Sequence, residues 1–186
     1  MGLDIAAFSH LEKVDPELYD YNYEEGRDVY SRDGAPCDPV VWVRKNEYKP
    51  ERCELADGPY FYEERTGFYA GGYISYGSWR NLLAKLPGSY EPVEMSARPY
   101  AAGAWEAGEG PFWELIDFSD CDGMLGTKVC QKLLNDFLQY EGKVEAFCTE
   151  AGAEMSLEDA AWFSGKYQEW MNALQLAAQD GCILFH

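Results

Sequence analysis

The chain has 186 residues, 47% of them hydrophobic and 16% aromatic, and its formal charge at pH 7 is −18. The aromatic content excludes a disordered chain, and the length is typical of one globular domain with its own core. No apolar run is long enough to span a membrane and the first residues do not form a signal peptide, so the sequence predicts a soluble cytoplasmic protein.

The negative charge is concentrated at the two ends of the sequence. Residues 1–66 have a net charge of −8 and residues 109–186 of −10, whereas residues 67–108 are neutral. Such a charge repels the phosphates of nucleic acids and of anionic membranes, so neither is predicted as a direct partner. It attracts a basic protein, including one whose nucleic-acid groove an acidic surface could occupy. The alternative is that the carboxylates only keep the protein soluble.

The first part of the chain predicts short strands separated by polar stretches. Apolar, β-branched or aromatic runs typical of strands occur at residues 3–9, 40–43, 59–62 and 67–76. The polar residues 63–66 predict a hairpin between the last two of these strands. Residues 11–38 are polar and contain turn-forming residues, so they predict a loop or partly ordered insertion.

A short helix is predicted next. Ser78 is a good N-cap for residues 79–86, and the Pro-Gly pair that follows would end the helix. Residues 88–111 are rich in Gly, Ala, Pro and Glu without a period, which predicts a second long loop. Residues 112–118 are apolar, but the run is too short to distinguish a helix from a strand.

The last third predicts two longer helices. Apolar residues spaced three or four apart between Val129 and Phe147 mark one helical face. Ser156 and Asp159 have the spacing of a capping box at the start of the second helix, and Gly181 is placed to end it. Residues 182–186 predict a terminal strand that returns to the sheet.

These elements predict an α+β fold, in which a mostly antiparallel sheet carries the two longer C-terminal helices on one face. The prediction is a single domain over residues 1–186, with loop insertions at about 11–38 and 88–111. No internal repeat divides the chain further.

The segment from Tyr69 to Arg80 is a candidate site for a nucleotide-sized ligand. Aromatic faces stack on bases, and a helix N-terminus with an arginine attracts a phosphate. The glycine spacing matches neither a Walker loop nor the dinucleotide-binding fingerprint. The alternative is a strand whose aromatic residues belong to the core. The candidate ligand-binding residues are Tyr69, Tyr73, Tyr76, Ser78, Trp79 and Arg80.

Asp117, Asp120 and Asp122 are candidate metal ligands, since hard cations prefer clustered carboxylates. Their register does not match an EF-hand loop, and the alternative is an Asx-type turn at the start of the following helix. We therefore predict no metal site and no cofactor.

The six cysteines and two histidines form no recognisable catalytic or zinc-binding motif. We predict free thiols, several of them buried. His10 and His186 lie at opposite ends of the sequence, although pairing of the terminal strands could bring them together. A thiol–histidine pair with Cys121 or Cys182 stays open as an alternative, and no catalytic residue is predicted.

Several segments resemble a group of uncharacterised proteins from tailed phages and bacterial prophages. They are the start Met1-Gly2-Leu3-Asp4-Ile5, the stretch from Gly67 to Arg80, Phe112 to Phe118 with the following Ser119-Asp120-Cys121-Asp122-Gly123, Lys132-Leu133 with Asp136-Phe137, and the end from Asp180-Gly181 to Phe185-His186. The resemblance implies a small accessory protein acting in a bacterial cytoplasm. It implies no activity, ligand or catalytic residue.

Three functions are compatible with the sequence. The first is a non-enzymatic phage or prophage protein that binds and inhibits a basic host or defence protein, with its acidic surface mimicking nucleic acid. The second is a protein that binds a small nucleotide-type molecule through the Tyr69–Arg80 segment. The third is a metal- or thiol-dependent enzyme, for which no motif is found.

Overall fold

The computed structural model describes residues 2–21, 29–31, 39–45, 49–118, 121–150 and 156–186. The largest sheet has four antiparallel strands in the order β7-β1-β9-β8. Its strands are β1 (Gly2–Phe8), β7 (Arg65–Gly72), β8 (Gly123–Leu125) and β9 (Cys182–Phe185). The central pair therefore joins the two ends of the described chain, because β1 lies directly beside β9.

A second antiparallel sheet has the strand order β2-β6-β5. Its strands are β2 (Glu12–Lys13), β5 (Val40–Val43) and β6 (Gly58–Phe61), and a separate pair consists of β3 (Tyr19–Tyr21) and β4 (Val29–Ser31). The predicted insertion at 11–38 thus contains three short strands in its described part, while 22–28 and 32–38 lie outside the described residues.

The predicted hairpin between 59–62 and 67–76 is wrong, because β6 and β7 belong to different sheets. β6 is the central strand of the small sheet, so β2 and β5 occupy both of its hydrogen-bonding edges and leave none for β7. The ladder between β1 and β7 continues beyond the strands, where Ser9 donates from its amide to Glu64 and accepts from the amide of Glu63. The polar residues 63–66 therefore pass the chain from one sheet to the other.

Five helices lie within the described ranges, together with one 3-10 turn at Pro50–Arg52. The helices are α1 (Tyr73–Lys85), α2 (Pro99–Ala107), α3 (Trp113–Ile116), α4 (Thr127–Glu150) and α5 (Leu157–Ala177). In these same ranges, no helix is both long enough and apolar enough to cross a membrane.

The four-stranded sheet separates two hydrophobic cores, because successive side chains of a strand point to opposite faces. On one face, Leu3, Ile5 and Ala7 of β1 pack with buried residues of α1, α4 and α5. On the other face, Ala6 and Phe8 pack with buried residues of β5 and β6. The order of layers is therefore helices, large sheet and small sheet.

The predicted α+β fold, with antiparallel sheets and the two C-terminal helices packed on a sheet, is confirmed. The apolar stripe of α4 is buried or half-buried as its spacing predicts. Ser156 is the N-cap of α5, where its Oγ accepts from the amide of Asp159 at 3.1 Å. Gly181 does not end this helix, because α5 stops at Ala177 and the left-handed residue after it is Asp180, with φ of 49°.

The predicted start of α1 after an N-cap at Ser78 is wrong, since the helix begins at Tyr73. Gly71, with φ of 118°, turns the chain out of β7, and Gly72 is the N-cap residue. Ser78 lies inside the helix and donates from Oγ to the carbonyl of Ile74, one turn earlier. Alternating aromatic residues resemble a strand here, although their burial follows a helical period.

The predicted loop at 88–111 is interrupted by α2, so this prediction is also wrong in part. Pro99 stands in the first turn of the helix, and Gly108 adopts the left-handed conformation with φ of 71° at its end. Asn81 of α1 accepts from the amides of Tyr100 and Ala101, which satisfies two of the free N–H groups at the start of α2. The contact explains why a Gly- and Ala-rich stretch is helical at this position.

Two helical glycines give opposite expected effects on stability when changed to alanine. A Cβ at Gly103 of α2 would lie 1.9 Å from the carbonyl oxygen of Glu91, so Gly103→Ala is expected to cost about 1–3 kcal/mol through overpacking. A Cβ at Gly165 of α5 meets no atom within 4 Å, so Gly165→Ala is expected to stabilise by about 0.5–1 kcal/mol. Urea denaturation measures both, and equal effects of the two changes would contradict the packing of α2 on residue 91.

Candidate functional site

Three of the residues predicted to bind a nucleotide lie in the core. The side chains of Tyr76, Trp79 and Arg80 are 0%, 1% and 6% exposed. Tyr76 and Trp79 stack on each other and on Trp170 of α5, with ring centroids 5.8 to 6.2 Å apart. The aromatic residues therefore join α1 to α5. They belong to the core, as in the alternative that the sequence left open, but Tyr76 and Trp79 lie on a helix and not on the strand which that alternative assumed.

The guanidinium of Arg80 is held by protein groups. Its Cζ lies 4.6 Å from the ring centroid of Tyr76, and its Nη1 donates to the carbonyls of Ile116 and Phe118 at 3.2 and 2.7 Å. A buried guanidinium needs such partners, since an unpaired buried charge is costly. Arg80 thus ties α1 to the segment that follows α3.

The other three candidates lie apart from this cluster. Tyr69 is 52% exposed on β7, and its carbonyl accepts from Nζ of Lys166 at 2.6 Å. Tyr73 is half-buried in the first turn of α1, and Ser78 is exposed. The structure does not bring the six side chains to one surface, and nucleotide binding stays a prediction.

Asp117 is paired with two cations. Its Oδ2 lies 2.7 Å from Nζ of Lys49 and 3.4 Å from Nη2 of Arg52. The Arg52 guanidinium is buried and lies 4.1 Å from the ring centroid of Trp113. The Asp117 carboxylate, a candidate metal ligand in the sequence, is thus engaged in ion pairs with Lys49 and Arg52.

The other candidate metal ligands do not complete a site with Asp117. Asp122 is exposed, and Asp120 lies outside the described residues. Among the residues that the structure does describe, no group of three or more His, Cys, Asp or Glu side chains is placed to hold a metal ion. At the start of the next helix, Glu54 accepts from the amide of Lys128 at 2.9 Å. The Asx-type turn stays a prediction.

The terminal strands pair, but they keep the two histidines apart. Asp4 and His186 exchange backbone hydrogen bonds of 2.8 and 3.1 Å, whereas the amide of His10 donates to Gln179 beyond the other end of β1. Six residues of extended chain separate the two positions by about 20 Å. A site that uses both histidines is therefore excluded by the register.

The thiol nearest to His10 in the sheet register is Cys182, which lies opposite Phe8. Cys182 is fully buried, and burial raises the pKa of its thiol far above the usual range. Burial likewise raises the pKa of Cys53 and Cys130. A nucleophilic cysteine needs a lowered pKa and access to solvent, and these three thiols have neither.

Lys132 of α4 holds the segment before α3 in the same way as Arg80 holds the segment after it. Its Nζ donates to the carbonyl of Gly110 at 2.7 Å and pairs with Glu114 and Asp136. Asp136 in turn accepts from the amide of Phe112 at 2.7 Å. Burial raises the pKa of Asp136, while the bonds from Lys132 and Phe112 oppose that rise.

Exposed carboxylates outnumber exposed cations in the part of the chain that the structure describes. Arg52, Arg80, Lys49 and Lys132 serve the interior, and Lys166 is held by the Tyr69 carbonyl and Glu169. Within the described ranges, many exposed carboxylates form no salt bridge; they include Asp4, Glu12, Glu17, Asp20, Glu51, Glu64, Glu91, Glu94, Glu106, Glu109, Glu141, Glu145 and Glu158. The candidate functional site is this acidic surface.

Comparison with known proteins found no matching protein-family model, no matching curated protein and no matching solved structure.

Arg80→Met is expected to destabilise the protein by about 2–4 kcal/mol, because it removes the buried donor to the carbonyl of Phe118 and one of the two donors to the carbonyl of Ile116, which also accepts from Nε1 of Trp105. Arg65→Met removes the same charge from an exposed side chain and is expected to change stability by less than about 0.5 kcal/mol. Urea denaturation followed by tryptophan fluorescence measures both changes. An Arg80→Met protein as stable as the Arg65→Met control would contradict the structural role of Arg80.

Alkylation of the native protein is expected to modify Cys121 well before Cys53, Cys130 and Cys182. Cys121 is exposed, whereas burial shields the other three and keeps them protonated. Mass spectrometry of peptides after a time course of iodoacetamide treatment gives the order. Rapid modification of Cys182 in the folded protein would contradict this expectation and would support the hypothesis of a thiol-dependent enzyme.

Proposed function

We propose that this protein is a non-enzymatic binding protein that associates through its acidic surface with a basic protein and inhibits it by mimicking nucleic acid. In the phage or prophage setting that the sequence resemblance implies, the partner is a host or defence protein and the two meet in the bacterial cytoplasm. The observation that supports this proposal is the division of charges at the surface, where exposed carboxylates that form no salt bridge outnumber exposed cations among the described residues.

The division of charges matters because the surface determines the field that a partner meets. Complementary potentials steer two proteins together and suppress wrong partners, even where they add little to the affinity. A cation that is paired with a carboxylate contributes little to the potential at the surface, because the two charges oppose each other. Arg52 with Asp117, and Lys132 with Glu114 and Asp136, are paired in this way, so the exposed carboxylates determine the potential that a basic partner meets.

The chemistry of the interior supports a binding role over a catalytic one. The buried thiols of Cys53, Cys130 and Cys182 are held in the protonated form. The Asp117 carboxylate is neutralised by Lys49 and Arg52. These groups thus have structural partners and lack the free, activated form that a nucleophile or a metal ligand requires.

The proposal predicts a basic partner whose binding depends on salt. Immobilised protein is expected to retain a basic nucleic-acid-binding protein from bacterial lysate, and its affinity is expected to fall at least tenfold between about 50 and about 200 mM salt. Duplex DNA is expected to displace the partner, because both compete for one basic surface. Calorimetry with the purified partner measures the salt dependence and the competition.

Two results would contradict this proposal. One is that the partner binds with equal affinity across the salt range, and the other is that partner-bound DNA and this protein form a ternary complex. Arg65→Met is a suitable control, because it removes an exposed cation and is expected to bind slightly more tightly.

A further inference from the structure

A groove of about 470 Å³ lies between α4 and α5, in the half of the pair that holds the end of α4 and the start of α5. A pocket of this volume is large enough for a few side chains of a partner. The floor of the groove is formed by Val144, Cys148, Ala160 and Tyr167. Its rim carries Glu141 and Glu145.

The groove arises from the regular spacing of both helices. Four residues of α4 line the groove at intervals of three, one and three residues, and this spacing places them on one face of the helix. They are Glu141, Val144, Glu145 and Cys148. The stretch from Glu141 to Thr149 extends over about 12 Å of helix axis. The two glutamates stand one turn apart, and their Cβ atoms are about 6 Å from each other.

The floor of the groove is uncharged. The hydroxyl of Tyr167 donates to the carbonyl of Phe137 at 2.6 Å. Burial raises the pKa of this hydroxyl, and the negative charge of the nearby Glu141 raises it further. The thiol of Cys148 donates to the carbonyl of Ala160 at 3.6 Å, and burial raises its pKa as well. At neutral pH, the carboxylates on the rim are therefore the charged groups among the residues that line the groove.

The cations of the same two helices are directed elsewhere. Lys143 lies with its Nζ 5.0 Å from the ring centroid of Tyr140. Lys166 is held by the Tyr69 carbonyl and Glu169. Within the described part of the chain, Glu141 and Glu145 form no salt bridge, so their charges are open to a partner.

We propose that this groove binds a basic segment of the partner, in which two cationic side chains one helical turn apart meet Glu141 and Glu145 and an apolar side chain enters between the helices. This inference rests on the proposed function and assigns a part of the acidic surface to it. Apolar contact at the floor with charged contacts at the rim is the usual anatomy of a protein interface. It is also the mode in which an amphipathic helix docks into a groove.

The test uses a defined probe, a 14-residue amphipathic peptide of leucine and lysine with lysines four residues apart. Titration of the isotopically labelled protein is expected to shift the backbone resonances of residues 141–149 and 160–168 before those of other regions. Glu141→Gln with Glu145→Gln is expected to weaken binding about tenfold, whereas Glu91→Gln with Glu94→Gln removes two exposed charges elsewhere and is expected to change it less than twofold.

A second variant tests the groove itself without any change of charge. Ala161 is exposed on the α5 side of the groove, so Ala161→Trp fills the space and is expected to abolish the peptide-induced shifts. Thermal denaturation checks that each variant is folded, and the shift map of the unaltered protein gives a result that needs no variant. Shifts confined to other surfaces, or equal weakening by the two double variants, would overturn the proposal.

The two proposals fail in different ways. If a basic partner binds in a salt-dependent manner but Glu141→Gln with Glu145→Gln leaves its affinity unchanged, the groove is not the docking site and the proposed function stands. If no basic protein binds and the peptide still occupies the groove, the groove is a docking site and the proposed function fails.

Discussion

Cationic side chains from three distant parts of the chain converge on the segment 110–118 and fix it between the helices and the sheets. Arg80 of α1 donates to two carbonyls at the end of α3 and just after it, Lys132 of α4 donates to one carbonyl before α3, and Lys49 with Arg52 holds Asp117 between them. A buried charge is tolerated only when it is well paired, and loss of one partner costs several kcal/mol. The position of this segment therefore depends on all of these contacts together. The segment contacts α1 and α4, so its placement also affects how the helical layer packs on the large sheet.

The same contacts explain the character of the surface. The chain has 15 basic and 33 acidic residues, and several of the basic side chains make contacts in the interior. The carboxylates of Glu114, Asp117 and Asp136 are withdrawn from the surface with them, so the surface keeps the acidic excess that the composition shows. Beside the groove that Glu141 and Glu145 border, Lys143 and Lys166 of the same two helices make their contacts with other groups.

Periodicity in the sequence predicted the elements that bury a continuous apolar stripe. The helices α4 and α5 follow from it, whereas the strands β1, β5 and β9 follow from short apolar runs. The sequence does not predict the start of α1 because Tyr73, Tyr76 and Gly77 are poor helix formers, and Trp170, against which Tyr76 packs, is far away in the sequence. β8 was missed because three residues are too few for a period, and its pairing with β9 connects residues far apart in sequence. For the candidate site, the sequence predicted the acidity of the surface, but the partners of Arg80 and Asp117 lie more than 30 residues away and leave no local signal.

The proposed function is consistent with the magnitude of the net charge. A net charge of about 2–8 in magnitude is sufficient to keep a small domain soluble, and charge beyond that destabilises the compact state by self-repulsion. The chain has a net charge of −18, and exposed carboxylates such as Glu141 and Glu145 stand one helical turn apart, where like charges repel. A basic partner relieves this repulsion when it binds, so part of the destabilisation in the free protein is recovered as affinity. On the proposed function, the placement of Glu141 and Glu145 beside an apolar groove gives this recovered affinity a definite location.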